Sequence, residues 1–190
     1  MIINEIDLKG TEYRISKKFN RKIFSFSELL NDMANNEYSK LENYYKDKFE
    51  FIKFKDEEVL VENDKKDEFI VFGRNNNGFF TINKNKEIWL IPFYISDIKE
   101  PIFINSSLHQ FRCCYCLLLS ILFFFLGKNV DEKECTKIAQ KFKRDILEID
   151  IHSINSLFYK NYIFSIRNAE LPIHFTPIDY VNNGRHVISE

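Results

Sequence analysis

Glycine and proline are scarce in this chain, at five and four of 190 residues. Alanine is scarcer still, at three, and there is a single tryptophan. So little Gly and Pro excludes collagen-like, linker-rich and low-complexity chains. An excess of charge of one sign is also missing. Lys and Arg number 27 against 28 Asp and Glu, a formal net charge of −1. The basic excess usual in general nucleic-acid binders is therefore absent. What is plentiful is aromatic: 20 Phe and nine Tyr in a chain that is 45% hydrophobic and 29% charged. That content excludes disorder, and the length suits a single domain over 1–190. Composition alone gives a globular domain and no activity.

The opening residues, Met1-Ile2-Ile3-Asn4-Glu5-Ile6-Asp7, carry neither a basic n-region nor an apolar h-region. The expectation is a cytoplasmic protein without a secretory signal. The longest apolar run, Cys113 to Leu126, is interrupted only by Ser120. A spanning helix needs about 20 apolar residues, so the run reads as a buried core helix. A membrane or hydrophobic interface is the alternative, and stable membrane insertion is not expected. The cysteines are Cys113, Cys114, Cys116 and Cys135. Three crowd into one helical turn, where their disulfide vectors are poor, and no second Cys or His pair supplies zinc-ligand spacing. They read as reduced structural thiols. No metal and no cofactor is expected.

Residues 1–23 read as an extended lead-in punctuated by Arg14, Lys17, Lys18, Arg21 and Lys22. Ser25 and Glu28 have capping-box spacing, and the helical pattern behind them continues, with a break at Asn35-Asn36, to about Lys48. The period then shortens, and residues 49–92 read as a sheet meander. Phe49 to Phe54, Val59-Leu60-Val61, Phe69 to Phe72, Phe79 to Ile82 and Ile88 to Ile91 are apolar or aromatic runs separated by turn residues. Phe69-Ile70-Val71-Phe72 suits a strand buried on both faces. Asn75-Asn76-Asn77-Gly78 is the strongest turn signal. Residues 105–168 read as helical. Ser107 and Gln110 again have capping-box spacing, and one helix is expected from about Ser106 to Leu126, buried between the sheet and later helices. Asp131-Glu132 opens another, and a further pattern runs from about Ser153 to Asn168. Residues 169–190 read as an irregular tail. The expected class is α+β: a predominantly antiparallel sheet of about five to six strands, with N-terminal helices and three C-terminal helices packed against it.

No catalytic signature is present: no G-x-S-x-G, H-E-x-x-H or P-loop. Gly73 to Gly78 joins two strands, which suits a hairpin turn better than a phosphate cradle. Cys114 with His109 or His152 as base would be the sharpest enzymatic reading, but an apolar helix opposes thiol reactivity. No catalytic residue is therefore assigned, and the protein is expected not to be an enzyme. The acidic stretch 55–68 holds seven acids and three bases. Asp56, Glu57, Glu58, Glu62, Asp64, Asp67 and Glu68 are the candidate partner-binding residues, because a local negative field steers a basic partner. Their alternative use is to keep a sheet edge soluble. Asp56-Glu57-Glu58 reads as a solvated turn between strands, or else as an acid/base or metal cluster.

Phe69-Ile70-Val71-Phe72-Gly73, Gly78-Phe79-Phe80-Thr81-Ile82-Asn83, Glu87-Ile88-Trp89-Leu90-Ile91 and Phe103-Ile104-Asn105-Ser106-Ser107-Leu108-His109-Gln110-Phe111 together resemble the SUKH superfamily, particularly its fourth group. Asp150, Phe158, Tyr159, Ile163 and Ile166 extend the likeness, which covers roughly Phe49 to Asn168. Gly73, Gly78, Trp89, Asn105, Ser106, Ser107 and Phe111 carry the structural motif, and N-S-S-L-x-x-F is its most specific part. The resemblance implies an α+β immunity protein. Such a protein binds a cognate polymorphic-toxin domain, of nuclease or deaminase type, and neutralises it by stoichiometric occlusion without touching nucleic acid. The alternative is a non-enzymatic regulatory scaffold of the same fold that binds a protein or ligand.

Overall fold

Strand order in space follows strand order in sequence. The computed structural model describes residues 8, 12–19, 53–74, 78–93, 100–125 and 128–169. One antiparallel sheet runs β1 (Arg14–Phe19), β2 (Lys53–Glu62), β3 (Glu68–Arg74), β4 (Gly78–Asn83), β5 (Ile88–Pro92) and β6 (Ile102–Asn105). Helices α1 (Leu108–Phe125), α2 (Glu132–Ile149) and α3 (Leu157–Arg167) follow, with a 3₁₀ turn at Ile151–Asn155 before the last. This is the expected α+β class. The helices expected over 25–48 and the tail beyond residue 169 lie outside the described residues.

Period-2 alternation gives the sheet two apolar faces. Phe72, Phe80, Ile88, Leu90, Ile102 and Ile104 join Phe111, Leu118, Phe142, Ile146, Phe158 and Tyr159 of the helices in the main core. Val59, Val61, Phe69, Val71, Phe79 and Ile91 point to the opposite face, where Leu8 and Tyr13 complete a second cluster. β3 is therefore buried on both sides, as its run of apolar residues requires. Ring pairs within the main core, such as Phe80 with Phe158 at 5.8 Å and Phe72 with Phe111 at 5.8 Å, are T-shaped. Edge-to-face geometry of this kind adds roughly 0.5–1.5 kcal/mol to a pair beyond its buried area.

Two hairpin loops repeat one design. In Asn63–Asp67, the Asn63 N–H donates to the Asp67 carbonyl, the Lys66 N–H to the Asn63 carbonyl, and the Asp67 N–H to the Asn63 side-chain oxygen. Asn83–Glu87 makes the same three bonds with Asn83, Lys86 and Glu87. The Asn amide then donates to the closing carboxylate, at 3.1 Å to Asp67 and 2.6 Å to Glu87. Each loop places a lysine at positive φ, 62° at Lys66 and 65° at Lys86. Gly78 is required for a different reason. A Cβ there would lie 2.3 Å from the Ile91 carbonyl oxygen on the neighbouring strand.

Three expectations change. Phe54 and Val59–Val61 fall in one strand rather than two, and Asp56-Glu57-Glu58 is strand rather than turn. β2 absorbs the extra length as an irregularity: the step from Phe54 to Val59 faces only the step from Gly73 to Val71 on β3. The final helical pattern is two elements, because the Ser156 hydroxyl accepts from the Phe158 N–H and restarts the chain as α3. Most informative is α1. The sequence places it buried between the sheet and later helices, yet only Phe111, Cys114, Tyr115, Leu118, Leu119 and Leu122 are buried, as a single stripe at helical spacing. Phe123 and Phe124 on the other side are exposed. By length and composition alone α1 could cross a membrane, and a third of it is buried. That third packs into the main core.

Candidate functional site

The motif carried by Asn105, Ser106 and Ser107 sits where β6 hands over to α1. Ser107 caps the helix: its hydroxyl accepts from the Gln110 N–H and donates to the Gln110 side-chain oxygen. The Gln110 amide in turn donates 3.0 Å to the carbonyl of Ile149, at the end of α2. Immediately beyond lies Asp150, 2% exposed. Its carboxylate accepts from the Ser106 N–H at 2.7 Å and the Ser106 hydroxyl at 2.9 Å. It also accepts from the Asn105 amide at 3.2 Å, the Ser153 hydroxyl at 2.7 Å and the His152 N–H at 3.2 Å. Asn105 has further partners: its amide donates to Ser153 at 2.8 Å, and its oxygen accepts from the Tyr159 hydroxyl at 2.7 Å. Ser153 can also donate to the Ile104 carbonyl, and Ser156 donates to the carbonyl of Phe103. One polar cluster thus clasps β6 to all three helices.

Charge follows from this geometry. Burial by itself pushes the Asp150 carboxyl up, but hydrogen bonds from Ser106, Ser153 and Asn105 outweigh it and hold the group below its ordinary value. Burial keeps the Tyr159 hydroxyl neutral, well above the ordinary phenol range, as a donor to Asn105 must be. Cys114 is pushed up to about 11 by burial, against hydrogen bonds from Asn105 and Tyr159. The lone pairs of Asp150 are taken up by protein donors, so the cluster is built to hold elements together. Among the described residues, no group of three His, Cys, Asp or Glu side chains could hold a metal ion.

The candidate acids separate into two sets. Glu62, Asp64, Asp67 and Glu68 gather at the β2–β3 hairpin. There Arg14 bridges Glu62 at 2.9 Å and Asp64 at 3.2 Å, and Lys65 and Lys66 share the loop. Four acids meet three bases, so the hairpin tip is mixed in charge rather than strongly negative. Asp56, Glu57 and Glu58 lie farther along β2, next to its irregularity.

The remaining motif residues occupy structural positions. Gly73 is buried in β3 opposite Phe54 and Phe80, and Phe111 stacks on Tyr115. Trp89 meets Phe103 edge-on at 5.3 Å. Cys114 meets neither of its proposed bases: His109 contacts Cys113 instead, and His152 is exposed beyond Asp150. Sequence reasoning missed Ser153 and Ser156. Ser156 carried a legible N-cap signal, whereas nothing local marks Ser153. Comparison with protein-family models, with curated proteins and with solved structures gives no match.

Proposed function

We propose that the chain is a non-enzymatic, cytoplasmic immunity protein that binds a cognate toxin domain and neutralises it by occlusion. The observation that carries this reading is the place of the N-S-S motif. The residues that resemble the SUKH pattern are those that join sheet to helix and engage Asp150. A six-stranded antiparallel sheet followed by helices accords with it. The acid-bearing strand β2 and its hairpin to β3 are the proposed contact surface, since interleaved charge there selects orientation and partner.

Co-expression with the toxin domain encoded in the same gene cluster tests the reading. Restored growth and a one-to-one complex are expected. Toxicity unrelieved by the protein, with no complex formed, overturns it. Charge reversal at Glu57, Glu58 and Glu68 then probes that surface while sparing Asp64 and Asp67, which hold Arg14 and Asn63. Full protection by the triple variant moves the interface elsewhere.

A further inference from the structure

Burial divides the four thiols. Cys114 and Cys135 are fully buried, whereas Cys113 and Cys116 are partly exposed on α1. Burial raises Cys116 as well as Cys114 and Cys135, which lowers the thiolate population available for attack. Cys113 differs in its neighbour. His109 lies one helical turn earlier on the same face, with its Nε2 3.8 Å from the Cys113 sulfur. His109 is exposed, and both residues project away from the Phe111, Cys114, Tyr115 and Leu118 stripe that faces the core. Arg112, beside Cys113 in sequence, is the only formally charged residue of α1, so no carboxylate of this helix opposes a thiolate.

We propose that Cys113, with His109 as its base, is a thiol-modification site that exchanges with low-molecular-weight disulfides. The Cys113 proton passes to His109 Nε2. The thiolate attacks one sulfur of the small disulfide, a Cys113 S–S bond forms, and the original S–S bond breaks. The departing thiolate takes up a proton from the imidazolium. Cys113 is oxidised to a mixed disulfide and the departing sulfur is reduced to a thiol, so the exchange needs no other reactant. The modified sulfur lies on the outer side of α1, where an added group meets solvent rather than the packed core. This site is independent of the immunity reading.

The test treats the full, native chain with dithiobis-nitrobenzoate, an aromatic disulfide, and follows release of the coloured thiolate. Peptide mapping is expected to place one fast equivalent on Cys113, with Cys114 and Cys135 labelled only after denaturation. Cys113→Ser removes the fast phase. His109→Ala slows labelling of Cys113 at least about tenfold and leaves the rate at Cys116 unchanged. Labelling of Cys113 no faster than Cys116 in the unsubstituted protein overturns the proposal. So does an unchanged Cys113 rate in His109→Ala, or an equal slowing at Cys116, which would make His109 structural.

Discussion

Replacing Asp150 tests the clasp directly. Asp150→Ala strands the N–H and hydroxyl of Ser106, both of which point at the carboxylate. Asn105 and Ser153 retain each other at 2.8 Å, so their loss is partial. A hydrogen bond to a charged acceptor contributes about 1.5–3 kcal/mol, and each stranded buried group costs about 1–3 kcal/mol. With overlap between these contributions, the loss is about 3–5 kcal/mol, the size expected for removing a partner from a buried charge. Domains are stable by about 5–15 kcal/mol in all, so at least about a fifth disappears. At this chain length 1 kcal/mol moves Tm by about 2–4 °C, which gives a fall of about 6–20 °C. The assay is urea unfolding followed by circular dichroism and by Trp89, the only tryptophan. The midpoint should fall with the slope unchanged. Asp150→Asn keeps one acceptor and should lose about 1–2 kcal/mol. The folded carboxyl lies below its ordinary value. Its contribution is therefore complete above about pH 4 and fades as pH falls through the folded value. The gap between wild type and Asp150→Asn should close in that window. A loss under about 1 kcal/mol for the alanine variant, or equal losses for both variants, refutes the reasoning.

Other substitutions examine the frame around the clasp. Lys66→Gly and Lys86→Gly relieve positive φ at the two hairpins and should each stabilise by about 0.5–1 kcal/mol, read as a higher urea midpoint. Gly78→Ala drives a Cβ into the Ile91 backbone and should destabilise by about 3 kcal/mol in the same assay. On α1, Leu118→Ala should cost about 3 kcal/mol because Leu118 is fully buried. Phe123→Ser on the exposed side should stay within about 0.5 kcal/mol. Similar losses for that pair would mean that both faces of α1 are packed.

Much of the frame was legible because its signals are local. Apolar runs separated by Asn-rich turns give β3, β4 and β5 close to their observed limits, and Asp131 and Ser107 mark the starts of their helices. β6 was harder, since four residues carry too little alternation to register. Lys65 and Lys66 are apparent from sequence, but the neutralising Arg14 comes from β1, 48 positions before Glu62. Only strand pairing brings it there, so the stretch 55–68 read as more acidic than its hairpin is. The one-sidedness of α1 was hard to see because Leu117, Ile121, Phe123 and Phe124, off the buried stripe, are apolar too, leaving periodicity little to contrast in its second half. Asp150 was recognisable as part of a resemblance. Its attachment to Ser106 required the fold, since a carboxylate's partner 44 residues away leaves no mark in spacing.

That separation also bears on the order of assembly. Strands β2 to β5 are joined by loops of a few residues and can zip pairwise, whereas the Ser106–Asp150 contact closes a 44-residue loop. Closing such a loop costs about 2 kcal/mol more entropy than closing a tight hairpin. The expected order is therefore meander first and clasp second, with Asp150 as a latch engaged after the rate-limiting step. In stopped-flow measurements Asp150→Asn should raise the unfolding arm of the chevron and leave the refolding arm nearly in place. The clasp then governs how long the native protein persists more than how quickly it is reached.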